Sequence, residues 1–293
     1  MQKFSSIEPG APASEIAARL GLHRAGHGWR GDCPLCSYSN ALAIDQRDGR
    51  TLAWCANCQD SAALARLLRG HGALPERRPP DPAERPADVE RQAERIERAR
   101  LIWDGAEALT GTDPASLYLQ RRCIGHAISS LALRWRRDCP HVGGSRRIAL
   151  IAAITGADGK FKAIQRIYIK PDGTKADIEP QKASLGPTGG GAVRLQDCIT
   201  ELVISEGVET SAAAGALLGM PAWAAVSAGN MAKSLMLPVE IRSIVICADH
   251  DAPGLAAAED AARRWQGEGR AVRILRAVEP GRDANDVIRE AVR

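Results

Sequence analysis

Nowhere among the 293 residues is there an apolar run long enough to cross a bilayer, and about 20 such residues are needed for a spanning helix. The opening MQKFSSIEPG also lacks the continuous apolar stretch of a secretory signal. A cytoplasmic protein with no membrane partner is therefore expected. A dominant charge is missing too: Lys+Arg 39 against Asp+Glu 35 leaves a net charge of +4. That excess permits a nucleic-acid partner without requiring one. No G-x-x-x-x-G-K-[ST] occurs, so no fused ATP-driven helicase of the P-loop kind is expected.

Hydrophobic residues at 45% and charged residues at 25% are ordinary for a soluble chain with one large core or two modest ones. Eight cysteines are present. In a cytosolic chain clustered cysteines bind metal more often than they pair, and Cys33, Cys36, Cys55 and Cys58 are clustered. They form two Cys-x-x-Cys pairs around the strand-like pieces ALAID and TLAW, joined across Asp48-Gly49. This is a zinc ribbon layout, in which a hairpin brings two tight turns together around one tetrahedral thiolate site. Four sulfur ligands leave no open position, so a single structural Zn2+ is expected. Cys123, Cys139, Cys198 and Cys247 are scattered and read as packing residues.

Residues 1–70 thus read as the ribbon, closed by the helix-like SAALARLLRG. The stretch HGALPERRPPDPAERPAD, 71–88, is rich in Pro and charge and reads as a linker. Residues 89–140 read as helical: VERQAERIERARLIWDGAEAL has apolar residues at helical spacing, and DPASLYLQRRCI places Asp113 as an N-cap before Pro114. From 141 to 197 the pattern turns to strands, RRIALIAAIT and FKAIQRIYIK, with the turns GADGK and PDGTK. Such a meander is expected to leave one face free. Arg146, Arg147, Lys160, Lys162, Arg166, Lys170, Lys175 and Lys182 concentrate positive charge here, with Phe161 and Tyr168 interleaved. Two readings stand: the face tracks a phosphate backbone, or the lysines keep sheet edges soluble. On the first, Lys162, Arg166 and Lys182 are the nucleic-acid-binding candidates.

The last third is α/β. ELVIS, PAWAAVS, IRSIVICAD and AVRILRA read as strands alternating with the helices ETSAAAGALLG, GLAAAEDAARRWQGEG and DANDVIREAV. Alternation of this kind implies a Rossmann-like parallel sheet with helices on both faces, whose ligands bind outside the carboxyl ends of the strands. Acidic residues fall at those ends: Glu206-Gly207, then Asp249-His250-Asp251, then Asp283 and Asp286 within GRDANDVI. In extended chain Asp249 and Asp251 share a side and His250 faces away. Two carboxylates about 4 Å apart repel by roughly 4 kcal/mol at a protein-like effective dielectric. A divalent cation offsets that repulsion, and oxygen ligands suit Mg2+ or Mn2+. Asp, Pro and Gly also make turns; the convergence of separate acidic pieces on one rim argues for more than a turn. Gly207 and Gly254 are expected to let the backbone bend sharply beside a ligand.

With SEGVET, ADHDAPG and GRDANDVI in this order, residues 198–293 resemble the Toprim domain of bacterial-type primases, type IA and II topoisomerases, certain nucleases and recombination mediators. A zinc ribbon ahead of Toprim is similar to the layout of bacterial-type primases, and IEPQKASLG with Lys182 looks like the basic stretch that precedes their Toprim domain. The ribbon has four cysteines where cellular primases usually carry a histidine, and the middle region is short, which points to a plasmid, phage or mobile-element relative.

The resemblance implies a DNA primase acting in DNA replication, a nucleotidyltransferase that makes short RNA primers on single-stranded DNA from nucleoside triphosphates, with a separately encoded helicase as a further partner. It implies that Asp249, Asp251, Asp283 and Asp286 hold Mg2+, and that Glu206 acts with Asp249 and Asp251 in catalysis, either positioning metal or assisting proton transfer. A Toprim nuclease and a non-catalytic DNA-binding accessory protein are the alternatives. For a topoisomerase only Tyr38, Tyr118 and Tyr168 are available as nucleophiles, none in a convincing setting.

Overall fold

The buried apolar residues of the first unit gather around its cysteines. In the computed structural model, which describes residues 13–47, 50–57, 61–70, 84–277, 279 and 281–291, the chain divides into two units, Met1–Arg85 and Pro86–Arg293. The first unit carries α1 (Ala13–Arg19), β1 (His23–Ala25), β2 (Gly28–Gly31), β3 (Leu42–Arg47), β4 (Arg50–Cys55) and α2 (Ser61–Gly70). Its four strands form one antiparallel sheet in chain order. The β3–β4 hairpin is the expected one; its turn dipeptide Asp48-Gly49 lies outside the described residues. Leu42 and Ile44, alternating inward along β3, pack with Ile16, Leu64 and Leu68 against Cys33 and Cys55. So small a core needs a further staple.

In the second unit the first helix starts early. Of the expected linker, 71–83 lie outside the described residues, while 84–88 already belong to α3 (Glu84–Asp104). Pro86 does not prevent this, because it sits in the first turn, where backbone amides have no intrahelical acceptor. α4 (Pro114–Arg121) begins as expected: Asp113 accepts the Ser116 amide at 2.9 Å, and proline occupies the first turn.

The segment read as helical to residue 140 ends sooner, since β5 (Leu133–Pro140) is a strand with Leu133 and Trp135 alternating into the core. It forms an antiparallel meander with β6 (Arg146–Thr155), β7 (Phe161–Ile169) and β8 (Lys182–Leu185). The expected free face is not there. Ala149, Ile151, Ile164 and Tyr168 pack under Ala99 and Trp103 of α3. On the opposite side Leu150, Ala152 and Ile167 share a core with Tyr118 and Leu119 of α4. Strand β7 is buried on both sides along most of its length, so its cations have to be satisfied inside the protein.

The C-terminal sheet follows the expected alternation: β9 (Val193–Arg194), β10 (Glu201–Ser205), α5 (Val208–Leu218), β11 (Ala222–Ala224), β12 (Ser243–Ala248), α6 (Ala252–Gly267), β13 (Ala271–Arg276) and α7 (Ala284–Ala291). The order is β13-β12-β10-β11-β9, with β10 to β13 parallel and β9 antiparallel at the edge. Leu202, Ile204, Ile244 and Ile246 face Ala258, Ala261 and Trp265 of α6, while Val203 and Val245 face α5 and α7. This period of two in buried strands puts helices on both faces. The edge strand β9 lies before residue 198, so the sheet begins earlier than the sequence reading placed it. Among the described residues no helix is long and apolar enough to cross a membrane.

Candidate active site

Parallel strands end on the same rim, and here β10, β12 and β13 deliver carboxylates to it. Glu206 follows β10 directly. Its carbonyl accepts the Val226 amide at 2.8 Å, and Val226 has φ 72, a region that costs a β-branched residue about 1–3 kcal/mol. The strained turn after β11 therefore pins the Glu206 backbone. Asp249 follows β12. Asp251 caps α6 by accepting the Gly254 amide at 2.7 Å. A Cβ on Gly254 would lie 2.7 Å from the Asp249 carbonyl oxygen and 2.9 Å from Asp251 Oδ1, so this glycine is required for the close approach. Gly207 is different: φ is −91 and no atom would come nearer than 3.6 Å to its Cβ, so the bend there does not need glycine.

Asp283 is brought across by main chain. The His250 amide donates to the Arg282 carbonyl (3.2 Å) and the Gly281 amide to the His250 carbonyl (2.7 Å), fastening the loop after β13 to the loop after β12. Asp283 then takes the Thr210 hydroxyl on Oδ2 at 3.0 Å and the Asp286 amide on Oδ1 at 2.9 Å. Asp286 turns its own carboxylate back toward the Asp283 amide, 3.4 Å away. This reciprocal cap joins Asp283 and Asp286 at the start of α7.

The remaining carboxylates feel one another. Burial first, then Asp249 and Asp251, pushes the Glu206 carboxyl up to about 8, against the pull of Lys182. Burial, then Asp283 and Asp251, pushes Asp249 up to about 6. Asp249 Oδ1 is buried without a hydrogen-bond partner. A buried, unpartnered carboxylate oxygen among like charges fits a hard divalent cation. No three rim carboxylates bring donor atoms within 4.8 Å of one another.

Opposite the carboxylates stands a cationic group that the sequence reading found only in part. Lys182 donates to Glu209 Oε2 at 3.0 Å, and the Tyr118 hydroxyl to Oε1 at 2.6 Å. Glu209 is buried. Although burial acts to raise it, the carboxyl is held far below its usual range by Lys182, the Tyr118 hydroxyl, Lys175 and Arg122. Burial, then Lys182, pushes the Lys175 ammonium down. Arg122 is fixed by Asn285, whose Oδ1 accepts from it at 2.9 Å and whose Nδ2 donates to the Arg122 carbonyl at 2.8 Å. Glu209 and Thr210 are adjacent in the first turn of α5. One tethers a cation of the site and the other tethers Asp283.

The structure separates the three nucleic-acid candidates. Lys182 reaches the site. Lys162 donates to the Gly189 carbonyl at 2.8 Å. Arg166 is 5% exposed, and its guanidinium donates to the carbonyls of Pro140 (2.9 Å), Ala183 (3.4 Å) and Ser184 (3.4 Å). A cation so enclosed ties strands together and does not reach a phosphate backbone.

In the first unit Cys33, Cys36 and Cys55 place their sulfurs within 4.8 Å of one another, with Cys36 and Cys55 at 3.7 Å. Among the described residues they are the one set of three metal-capable side chains this close. Cys58 lies outside the described residues. Burial raises the Cys36 thiol, but the Tyr38 backbone, Asn57 (3.6 Å) and the neighbouring thiols outweigh it and draw it below its ordinary value. That shift favours the thiolate, the form that binds metal.

Residues 201–293 match the family model of the Toprim domain, and residues 93–195 match that of a domain of unknown function, DUF7146. No curated protein matches the chain. Several solved structures are similar to it. A DNA primase domain from Pseudomonas aeruginosa shares 18% identity at a TM-score of 0.37, over 53% of this chain and 52% of that one. The Aquifex aeolicus primase, with its zinc-binding and RNA polymerase domains, shares 15% at 0.49, over 94% and 79%. The primase fragment of the bacteriophage T7 primase-helicase protein shares 13% at 0.40, over 90% and 95%. The chain spans about half the length of the first of these.

Proposed function

We propose, with the Toprim domain of residues 201–293 as premise, that the chain is a primase-type nucleotidyltransferase joining ribonucleotides on single-stranded DNA. One observation carries this reading. Glu206, Asp249, Asp251 and Asp283 share a rim on which a buried carboxylate oxygen lacks a partner, with Lys182 and Lys175 beside them. Anionic groups that would hold metal, set against cations that would hold phosphate, suit a triphosphate substrate better than a neutral one.

In the reaction the 3′ oxygen attacks the α-phosphorus, the α–β bridging P–O bond breaks, and pyrophosphate leaves. Mg2+ or Mn2+, when bound, supplies neutralisation of the charge that builds on the phosphate and leaving group. Asp249, Asp251 and Asp283 would hold it. Lys182 and Lys175 neutralise phosphate oxygens of the incoming nucleotide. Glu206, lifted by burial and by Asp249 in the metal-free protein, would give up its proton beside a bound cation and then either join the metal ligands or take the 3′ proton. A separately encoded helicase is the partner this reading calls for. The test is incubation with single-stranded DNA, labelled nucleotides and Mg2+. Growing products support the proposal, shortened DNA makes the protein a nuclease, and unchanged DNA with no product makes it a binding accessory.

For the first unit, the thiol trio with Cys58 as fourth ligand is read as holding one structural Zn2+. Metal analysis is expected to find one zinc per chain, and chelation to melt the first unit, because so small a core folds only with its ion. Full zinc content in Cys55→Ser would rule the site out.

A further inference from the structure

On the side of the meander where β6 turns into β7, a cavity of about 690 Å³ opens, lined by Arg100, Thr155, Lys160, Phe161, Arg194 and Leu131 among others. It is far from the acidic rim. Thr155 pairs with Phe161 at the hairpin end, whereas Lys182 pairs with Ile167; that is six residues along β7, about 20 Å at a strand's rise. No carboxylate lines it. Asp158 stands next to it, 3.5 Å from Lys160 Nζ, both side chains being largely in solvent.

Three features go together here. The Arg100 guanidinium carbon stands 4.0 Å from the centroid of the Phe161 ring and that of Arg194 4.3 Å from Trp223, so aromatic neighbours hold both cations in place before any ligand arrives. Lys160 adds a third cation at the cavity, with a side chain that is 83% exposed. Leu131 is 94% exposed, an apolar surface beside the cations. Cations for phosphate, with a guanidinium and an aliphatic side chain for the flat face of a base, are the two halves of single-strand binding.

We propose that this cavity is a second nucleic-acid site, which holds a stretch of single strand away from the acidic rim. The site does not depend on the rim's chemistry, so a chain that fails to join nucleotides leaves it standing.

The test is anisotropy of a fluorescein-labelled dT12 with the full chain, without added Mg2+ and over a range of salt. Arg100→Gln combined with Lys160→Gln is expected to weaken binding about tenfold and to make the salt slope shallower by about 1.4, at roughly 0.7 per phosphate contact on single strands. Arg263→Gln, an exposed cation of α6 with a 67% exposed side chain, removes charge elsewhere and should shift affinity less than twofold. Leu131→Glu removes no internal contact and should weaken binding several-fold by repulsion. The site is overturned if the double variant matches Arg263→Gln, or if Leu131→Glu binds like the parent. Displacement of dT12 by dTMP at equal nucleotide concentration would also overturn it, assigning the cavity to free nucleotides.

Discussion

Asp249→Asn is expected to cut nucleotide addition at least a hundredfold while raising the melting temperature of the metal-free protein at pH 8 by a few degrees. Burial, Asp283 and Asp251 lift the Asp249 carboxyl from 3.8 to about 6. An acid whose value rises on folding is held protonated by the native state. Its full stability is present below about 4, falls as pH rises through about 6, and stays lowered above. Two units correspond to about 3 kcal/mol, and partial exposure with solvent screening reduces this to about 1–2 kcal/mol, a few degrees for a unit of this size. The gain should vanish at pH 4, where both forms are neutral. It should vanish at pH 8 with Mg2+, which stabilises the parent alone. Calorimetry at both pH values, with and without added Mg2+, checks this beside the priming assay. An active but less stable variant would reduce Asp249 to a turn residue.

The second large effect has the opposite sign. Glu209→Gln is expected to cost about 2–4 kcal/mol at pH 7, because Lys182, Lys175 and Arg122 lose the buried anion they share. The Glu209 carboxyl is held below its ordinary 4.5, so its contribution is present above that value and is lost as pH falls below it. The penalty should shrink in acid. A purely structural loss would lower turnover in proportion to folded protein. Loss of Lys182 alignment instead raises KM for nucleotide in the fraction that remains folded. Thr210→Val provides the contrast: releasing Asp283 should weaken Mg2+ binding, measured by calorimetry, and leave nucleotide-free stability nearly unchanged. Equal KM and Mg2+ affinity across both variants would remove the tethering role from this turn of α5.

What was legible in the chain follows from periodicity. Apolar runs such as ELVIS and SIVICA have to be buried strands, and the strand-helix alternation between them fixes where their carboxyl ends meet. Asp249 was visible for that reason. The part Asp286 takes in capping α7 was not legible, because a carboxylate three residues after another serves a helix cap as readily as a metal, and spacing does not separate the two. Arg166 looked like surface because an arginine in a strand usually is; only the covering of both sheet faces shows that it bonds to carbonyls inside. Glu209 gave almost no signal, since glutamate in a first helical turn is ordinary by the helix dipole alone. Its partners, Tyr118 and Lys182, lie 91 and 27 residues away. The positive φ of Val226 belongs to a turn whose sequence, AAVSAG, contains no glycine where the strain falls.

The two-residue strand β9 bears on inheritance. It lies inside residues 93–195, yet its hydrogen bonds are with β11 of the Toprim sheet, through Val193 with Ala224 and Arg194 with Trp223. Across the same junction Tyr118 and Leu119 share one core with Val208 and Ala212. Genetic exchange at the boundary between the two sequence families would strip an edge from one sheet and bare an apolar face on each product. A recombinant that drew the two halves from distant parents would have to match them at this seam to fold, so the pair is expected to travel through evolution together.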